Sequence, residues 1–419
     1  MTFLDKFIIR GGNKLKGEIS LKGAKNAVLP IVAATILNEG ESIIHNVPNI
    51  ADVNVMIDIL RHVGCYVKFE DGTLTINTKY MHTSEIPESF VRRMRSSIIL
   101  LGSMVARFDQ TKISYPGGCE IGSRPIDLHL KSLSQMGVEI QEVHGYIRCK
   151  RQSINSSEIQ LDFPSVGATE NIMLASVKSR GITKIYNAAK EPEIVDLQNF
   201  LNSMGAKVKG AGTSYIEIEG VERLNNVEYT IIPDRIAIGT YLVAAAMTNG
   251  EIIINNVVPE HIQSIVSKLK EAGCEISYLR NSIKLKCLGR INSVEHIKTL
   301  PYPGFPTDMQ AQITTLMTIA NGTSLIEENI FENRFKYCNE LIRMGANITI
   351  SGKTAIVKGV KSLMGAKVNS PDLRGGAALV LAALNANGYS EVYGIDHIDR
   401  GYESMEKVLS SLGADIIRA

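Results

Sequence analysis

The feature that most constrains the fold is a motif that recurs six times along the chain. It reads leucine, three residues, glycine, a mostly small residue, any residue and a β-branched residue, and its copies span residues 60–67, 133–140, 201–208, 269–276, 341–348 and 409–416. Successive copies lie roughly 70 residues apart, a longer period than that of the usual solenoids. A leucine with a glycine four residues later is typical of a helix end. The glycine takes the left-handed C′ position, and a strand follows at once. The sequence therefore predicts six α/β repeat units.

Each repeat also contains an apolar segment rich in small residues, followed by a polar turn and a strand. These segments are residues 24–37, 96–105, 168–177, 235–247, 309–320 and 376–384. A helix that is apolar on most faces is a buried helix. We therefore expect one inner helix, one amphipathic outer helix and about four strands per unit, with three units sharing a core.

The two ends of the chain complete each other. After the sixth glycine only ADIIRA remains, whereas the N-terminus supplies the strand-like run KFIIRGGNKLKGEISL before the first inner helix. We therefore expect the N-terminal strands to complete the C-terminal lobe. The predicted domains are residues 23–232, which form an N-terminal lobe of three units with the Cys119 loop, and residues 1–22 plus 233–419, which form a C-terminal lobe of three units. The alternative is one continuous solenoid of six units.

Composition excludes several classes of function. A net charge of +2 over 419 residues disfavours a general nucleic-acid binder, which needs concentrated Lys and Arg to face phosphates. No signal peptide and no apolar run of about 18 residues is present, so we expect a cytoplasmic protein without a membrane partner. The six cysteines contain no CxxC pair and no zinc-like spacing with histidine, so we expect neither disulfides nor a structural metal.

Polar residues recur at the start of the inner helices. Helix N-termini carry unpaired N–H groups and a partial positive charge, which make them natural anion sites. Lys and Arg at these positions are unfavourable unless an anion balances them. For the aspartates the alternative is simple helix capping. The residues concerned are Lys25, Asn26, Arg95, Ser165 to Thr169, Asp234, Arg235, Asp308, Asp372 and Arg374.

The densest chemistry lies between Pro116 and His129, in PGGCEIGSRPIDLH. Two glycines before Cys119 permit backbone angles that other residues avoid. Arg124, and Arg95 earlier in the chain, could lower the pKa of the thiol and hold an anion beside it. The alternative is a loop cysteine without a task and an arginine on a solvated face.

The whole chain resembles the UDP-N-acetylglucosamine enolpyruvyl transferases. The resemblance rests on segments that occur in the family's order, namely GAKNAVLP from Gly23, MRSSI from Met94, PGGCEIGSRPIDLH, SVGATENIM from Ser165, EPEIVDL from Glu191, FPTDMQAQ from Phe305, FENRF from Phe331, PDLRGGAALVLA from Pro371 and HIDRGYE from His397.

This resemblance implies both a fold and a reaction. The fold is an inside-out α/β barrel of two similar lobes with three βαβαββ units each, which agrees with the six repeats counted above. The reaction transfers the enolpyruvyl group of phosphoenolpyruvate to the 3-hydroxyl of UDP-N-acetylglucosamine and releases phosphate, the first committed step of peptidoglycan precursor synthesis. No metal or cofactor is implied, the partners are the two small-molecule substrates, and we expect a monomer.

The resemblance also implies roles for individual residues. Cys119 would donate a proton to phosphoenolpyruvate or add to it, and Asp308 would act as base at the sugar hydroxyl. Phosphoenolpyruvate would be held by Lys25, Asn26, Arg124, Arg334, Arg374 and Arg400, with Lys25 and Arg400 counted as catalytic. The UDP-sugar would lie along Arg95, Arg124, Pro125, Ile126, Asp127, Leu128, Ser165, Val166, Gly167, Asp308 and Ile330.

One position departs from the family. Some relatives carry a lysine immediately before Ser-Val-Gly, where this chain has Pro164, so that nucleotide contact cannot be carried over. Three alternatives stay open: the shikimate-pathway enolpyruvyl transferase, which should lack the PGGC loop, an inactive paralogue that binds UDP-sugar, and a purely structural repeat protein.

Overall fold

The computed structural model describes residues 5–116, 121–122, 126–151 and 153–419. The strands in this part are β1 (Lys6–Arg10), β2 (Lys16–Ser20), β3 (Glu41–His45), β4 (Tyr66–Glu70), β5 (Thr73–Asn77), β6 (Glu85–Ile86), β7 (Gln110–Ser114), β8 (Val138–Val143), β9 (Tyr146–Arg151), β10 (Glu158–Gln160), β11 (Ile182–Tyr186), β12 (Lys207–Lys209), β13 (Tyr215–Glu219), β14 (Val227–Thr230), β15 (Glu251–Asn255), β16 (Glu275–Leu279), β17 (Ser282–Lys286), β18 (His296–Lys298), β19 (Thr323–Glu327), β20 (Asn347–Ser351), β21 (Thr354–Lys358), β22 (Lys367–Asn369), β23 (Tyr389–Tyr393) and β24 (Asp415–Arg418).

The α-helices in the same residues are α1 (Lys25–Ala34), α2 (Ala51–His62), α3 (Glu88–Arg93), α4 (Leu100–Arg107), α5 (Asp127–Gln135), α6 (Val166–Ser176), α7 (Pro192–Ser203), α8 (Arg235–Met247), α9 (Gln263–Glu271), α10 (Gln310–Met317), α11 (Cys338–Arg343), α12 (Leu373–Asn385), α13 (Asp396–Asp399) and α14 (Met405–Ser411). Short 3-10 helices span Thr35–Leu37, Arg95–Ile99, Pro259–Ile262 and Thr307–Met309.

The strands form four-stranded sheets of one repeated design. In order across each sheet, they are β14-β3-β5-β4, β6-β7-β9-β8, β10-β11-β13-β12, β2-β15-β17-β16, β18-β19-β21-β20 and β22-β23-β1-β24. In each sheet the first pair is parallel and the other two pairs are antiparallel. The strands described here form separate sheets and do not close into one strand barrel. The predicted α/β fold of six repeat units is confirmed.

The six repeated glycines end the outer helices as the motif predicts. Gly64, Gly137, Gly205, Gly273, Gly345 and Gly413 all lie in the left-handed region, with φ between 91° and 98°. In the first repeat, the N–H of Cys65 donates to the carbonyl of Leu60 over 2.9 Å, so the motif's leucine accepts the bond that closes the helix end. The spacing of leucine and glycine is therefore a local hydrogen-bonding requirement.

The inner helices pack against one another within each half of the chain. One compact unit, the N-terminal unit, contains the described residues among 22–116, 126–151 and 153–232, and the C-terminal unit contains those among 5–21, 121–122 and 233–419. In the first, α4 packs on α6 and α1, and in the second α12 packs on α10 and α8. Each unit has its own apolar core.

The N-terminal strands belong to the C-terminal unit. β1 pairs antiparallel with β23 and β24, and β2 pairs parallel with β15. A linear solenoid would leave the first strands paired only with their sequence neighbours, so the solenoid alternative is wrong. The carbonyl of Ile121 also accepts a hydrogen bond from the N–H of Asn333 over 3.1 Å, within the same unit.

No helix in the described residues is long and apolar enough to cross a membrane.

A buried carboxyl group in α6 gives the N-terminal unit a pH-dependent stability. Burial, with smaller contributions from Glu193 and Glu191, raises the pKa of Glu170 well above its usual value. The folded chain therefore binds this proton more tightly than the unfolded chain does. The resulting stabilisation is complete below the unfolded pKa, about 4.3, and is lost as the pH rises toward the folded pKa.

We expect Glu170→Gln, which mimics the protonated acid, to melt close to the wild type at pH 4.5 and increasingly above it as the pH rises to 8. Thermal melts at several pH values test this, with Glu139→Gln on the exposed surface of β8 as the control. A melting difference that does not change with pH would show that Glu170 is ionised in the folded protein.

Candidate active site

The candidate site in the C-terminal unit contains a carboxylate that lies between two buried arginines. Asp308 lies in the 3-10 turn that leads into α10, Arg374 lies in the first turn of α12, and Arg334 precedes α11. Asp308 Oδ1 accepts from Arg334 Nη2 over 2.8 Å, and Oδ2 accepts from Arg374 Nη2 over 3.0 Å. Both arginine side chains are 3% exposed and the aspartate side chain is 27% exposed. The carboxylate therefore lies on the solvent side of the two buried arginines.

These arginines have more N–H groups than protein partners. Nε of Arg334, and Nε and Nη1 of Arg374, are buried without a hydrogen-bond partner among the described residues. Buried donors are normally satisfied, so such groups need an explanation. Their position around Asp308 indicates a site for an anion with several acceptor oxygens.

The groups around Arg374 favour its charged form. Burial acts to lower the pKa of Arg374, but the Asp308 carboxylate, followed by Tyr402 and Asp234, outweighs burial and raises it. The guanidinium carbon also lies 5.4 Å from the centre of the Tyr402 ring, close enough for a cation–π interaction. Arg374 therefore carries a permanent positive charge in the core.

A buried polar network fixes the tyrosine beneath this arginine. The Tyr402 hydroxyl and Thr240 Oγ1 are 2.9 Å apart, and Gln312 Nε2 donates to both, over 3.2 Å and 3.0 Å. The three residues come from α8, α10 and the segment after α13. The ring plane on which Arg374 rests is therefore set by two of the inner helices.

Two of the three aspartates cap inner helices, whereas Asp308 lies in the first turn of its 3-10 helix. Asp234 Oδ1 accepts from the N–H groups of Ile236 and Ala237 and caps α8. Asp308 lies inside its 3-10 turn, whose N-cap is Pro306, and its carboxylate faces the two guanidinium groups. Asp372 caps α12 by accepting from the N–H groups of Arg374 and Gly375.

A second carboxylate organises the segment that carries Ile330. Glu328 is 2% exposed, and its Oε1 accepts from the N–H groups of Ile330 and Phe331. Its Oε2 accepts from Thr307 Oγ1 over 2.9 Å. Ile330 is thereby tied to the turn that carries Asp308. Arg400 lies in the same unit, directly after α13, and is half-buried.

In the N-terminal unit, the basic helix start is balanced by an internal carboxylate. Lys25 is the first residue of α1 and Asp52 lies in the first turn of α2. Lys25 Nζ is 2.7 Å from Asp52 Oδ2, with side chains 11% and 1% exposed. The lysine is thus held in place by a buried ion pair.

We expect Asp52→Asn to lower the free energy of unfolding by about 3–5 kcal/mol, because a neutral amide then faces the buried ammonium group. Asp58→Asn is the matched control on the same helix, since Asp58 pairs with Arg93 at an exposed site, at 3.2 Å, and should cost less than about 1 kcal/mol. Urea unfolding of both variants measures the difference. Equal costs would mean that the Lys25–Asp52 pair contributes no more than a surface pair.

The other candidates of this unit lie on helices that pack together. The 3-10 helix that begins at Arg95 packs on α1 and α6, and α6 packs on α5. Arg95 Nη1 donates to the carbonyl of Pro116 over 3.2 Å. Ser165 caps α6 by accepting from the N–H of Ala168 over 3.3 Å. Val166 and Gly167 form the first turn of α6, Asp127 and Leu128 the first turn of α5 after Ile126, and Asn26 the first turn of α1.

The structure adds residues that the sequence analysis did not single out. Asp52 and Tyr402 are described above, and His129 is a third: its Nδ1 accepts from Asn171 Nδ2 over 2.7 Å. A Cβ added at Gly167 would lie 3.0 Å from His129 Cε1, so a side chain there would require His129 to shift. Motif spacing gave no signal for these contacts, which join different helices. Cys119, Arg124 and Pro125 lie outside the described residues.

Comparison with known proteins defines the class. A family model described as EPSP synthase (3-phosphoshikimate 1-carboxyvinyltransferase) matches residues 9–409. The solved structure of the enolpyruvyl transferase NikO from Streptomyces tendae shares the fold, with a TM-score of 0.90 at 24% identity and coverage of 99% of both chains. The chain belongs to this family of 1-carboxyvinyltransferases.

Its curated relatives narrow the class further. The chain is 57% identical over 415 residues to UDP-N-acetylglucosamine 1-carboxyvinyltransferase 2 of Caldanaerobacter subterraneus subsp. tengcongensis, which covers 99% of this chain and 100% of the relative. It is 50% identical over 413 residues to UDP-N-acetylglucosamine 1-carboxyvinyltransferase 1 of the same organism, with 99% of both chains covered. The resemblance found in the sequence is confirmed.

Proposed function

We propose that this chain is an enzyme that transfers the enolpyruvyl group of phosphoenolpyruvate to the 3-hydroxyl of UDP-N-acetylglucosamine, with release of phosphate. The observation that carries the proposal is the set of buried, unpartnered N–H groups of Arg334 and Arg374 around Asp308. Phosphoenolpyruvate carries a phosphate and a carboxylate, whose oxygens match these donors. The names of the relatives at 50–57% identity supply the acceptor.

Asp308 is the proposed base at the sugar hydroxyl. An ionised carboxylate only accepts hydrogen bonds, and each oxygen of Asp308 accepts one from a guanidinium group. As an ionised acceptor, this carboxylate is proposed to take the hydroxyl proton as the hydroxyl oxygen bonds to the carbon that bears the phosphate. Arg334 and Arg374 keep the carboxylate oriented, so its role depends on their positions.

The other steps involve a proton donor and the clamp on phosphoenolpyruvate. Cys119 is the proposed donor of a proton to the methylene carbon during addition. Loss of a proton from that carbon then expels phosphate and leaves the enol ether. We propose that the phosphate and carboxylate of phosphoenolpyruvate are bound by the two buried arginines together with Lys25, Asn26, Arg124 and Arg400. These groups would also stabilise negative charge that develops during the reaction.

We propose that the sugar nucleotide contacts the helix starts of the N-terminal unit and Ile330. The N-terminus of α6, with its cap Ser165, presents N–H groups suited to a diphosphate. Arg95, held by the carbonyl of Pro116, supplies a positive charge. The remaining proposed contacts are Arg124, Pro125, Ile126, Asp127, Leu128, Val166 and Gly167.

A phosphate-release assay tests the proposal. Purified protein with phosphoenolpyruvate is given either UDP-N-acetylglucosamine or shikimate 3-phosphate, the acceptor in the name of the family model. We expect phosphate release with the first acceptor only. Release with shikimate 3-phosphate alone would assign the shikimate reaction, and binding of UDP-sugar without release from either mixture would indicate an inactive paralogue.

A further inference from the structure

Two buried cysteines lie opposite each other at the open end of the β16–β17 hairpin. The strands are joined by the two-residue turn Arg280-Asn281, and the last paired residues are Glu275 and Lys286. One step further along the same register, Cys274 faces Cys287. Each thiol shifts the pKa of the other, and the two residues are 5% and 1% exposed. The pair is therefore a dithiol enclosed in the core of the C-terminal unit.

Backbone hydrogen bonding sets the distance between these two residues. In an antiparallel pair, hydrogen-bonded and non-hydrogen-bonded positions alternate. The N–H of Cys274 donates to Leu269 and the N–H of Cys287 donates to Gly250, so neither bonds across the pair. Residues at such non-hydrogen-bonded positions have Cα atoms about 4.5 Å apart, which lies within the range of about 4.4–6.8 Å that a disulfide spans.

The other repeats show that the fold itself does not require cysteine here. Continuing the strand register by one step pairs Cys65 with Thr78 in the first repeat. The same step pairs Ala206 with Gly220 and Ala346 with Gly359 in two others. In these repeats the position holds small residues without a second thiol. Cys65 thus gives an internal comparison, because it occupies the same place opposite a hydroxyl.

The hairpin is placed where it can open locally. β16 is the edge strand of its sheet, and Tyr278 and Leu279 near the turn are exposed. Local opening can expose buried groups without global unfolding, and a strand that is paired on one side only is where we expect such opening to admit a small oxidant. Cys287, together with burial, raises the pKa of Cys274, whereas Cys274 lowers the pKa of Cys287. Cys287 is therefore the better nucleophile of the two.

We propose that Cys274 and Cys287 are a modification site that a peroxide converts into a reversible cross-strand disulfide. The Cys287 sulfur attacks one peroxide oxygen, the O–O bond breaks, and a sulfenic acid and one water form. The Cys274 sulfur then attacks the Cys287 sulfur, the S–S bond forms, the S–O bond breaks and a second water leaves. Two thiols and one hydrogen peroxide thus give one disulfide and two waters. This inference stands apart from the proposed enolpyruvyl transfer.

The test counts thiols in the full chain after exposure to hydrogen peroxide, in the wild type and in a Cys119→Ala variant without the loop thiol. The protein is quenched in acid, unfolded and alkylated with N-ethylmaleimide. In the Cys119→Ala variant, which keeps five of the six cysteines, we expect two to escape alkylation and the mass before alkylation to fall by about 2 Da as two hydrogens leave. Trypsin should yield EAGCEISYLR joined to CLGR, and dithiothreitol should restore both thiols.

Single variants decide whether this pair is responsible. Cys274→Ala and Cys287→Ala should each abolish the linked peptide, and if one variant fails to fold the other suffices. Thr78→Cys, opposite Cys65, should create a second linked pair, because the repeat geometry is the same. Persistence of the two-thiol loss in either single variant overturns the proposal. Free thiols, or separate sulfinic acids without linkage, at Cys274 and Cys287 after peroxide treatment overturn it as well.

Discussion

Asp308→Ala is expected to reduce turnover by about 10²- to 10⁴-fold, the usual contribution of a general base. Binding of phosphoenolpyruvate should persist, because the alanine leaves Arg334 and Arg374 with more unpaired donors for the same anion. The reduction should therefore appear in kcat and not mainly in the KM for phosphoenolpyruvate. Steady-state kinetics of phosphate release measure this division.

The same substitution should also destabilise the ligand-free protein. Removing Asp308 takes away the carboxylate that accepts hydrogen bonds from both guanidinium groups, each 3% exposed, at a cost of about 3–5 kcal/mol. Phosphoenolpyruvate should reduce this loss by supplying the missing negative charge. A thermal melt of the variant with and without phosphoenolpyruvate therefore reports on the site independently of turnover.

Glu251→Ala is the control for the charge change, because Glu251 pairs with Lys284 at an exposed site. It should cost less than about 1 kcal/mol and leave turnover unchanged. If Asp308→Ala melts early but its folded fraction turns over at the wild-type rate, Asp308 has a purely structural role and the base must be sought elsewhere.

The repeat architecture was predictable because its signals are local. Each motif leucine and its glycine close a helix end through bonds within a few residues, as the Leu60–Cys65 bond and the positive φ of Gly64 show. The inner helices were equally predictable, because a helix that is apolar on all faces is expected to be buried. The pairing of β1 with β23 and β24 followed from counting which repeat lacked strands.

The contacts that organise the site were not predictable in the same way. Asp308, Arg334 and Arg374 were each expected near phosphoenolpyruvate from the family resemblance. That one carboxylate joins both arginines depends on how α10 and α12 pack. Asp52 gave no signal as the partner of Lys25, since an acidic residue in the first turn of an outer helix is also what capping and the helix dipole favour.

The two aspartates that precede or begin inner helices show the same limit. By residue type alone, Asp234 and Asp308 are equally good caps. Asp234 caps α8, whereas Asp308 lies two residues after the N-cap Pro306 and faces two cations. A shift of two residues along one turn thus changes the role of an aspartate, and sequence-based boundaries are not that accurate.

The juxtaposition of two cysteines was not predictable for a related reason. Cys274 and Cys287 looked scattered in the sequence, because no short motif joins them. Their juxtaposition depends on the register of one hairpin, and register is set by the turn and by the buried side of the strands. The expectation of no disulfide treated the six cysteines as isolated, and only the oxidised form proposed above would depart from it.

Cys119→Ala is expected to abolish measurable phosphate release while the fold stays intact, because the proposed proton donor has no substitute side chain in alanine. Cys119→Asp should keep partial activity, since a carboxylic acid can also donate the proton. Phosphate-release rates of the two variants, with circular dichroism to check folding, measure this. An active alanine variant would remove Cys119 from the proposed mechanism.

Selective alkylation tests the same thiol without any substitution. The other five cysteines are buried, and burial raises the pKa of Cys65, Cys149 and Cys338 to about 12. Thiolates are the reactive form, so these three should be inert near neutral pH. An electrophilic phosphonate epoxide such as fosfomycin should therefore label Cys119 alone in the wild type and nothing in Cys119→Asp. Label on Cys287, whose pKa is lowered by the Cys274 thiol, would mean that opening of the β16–β17 hairpin competes with the loop, whereas label on Cys65 or Cys149 would contradict the assignment of Cys119 as the reactive thiol.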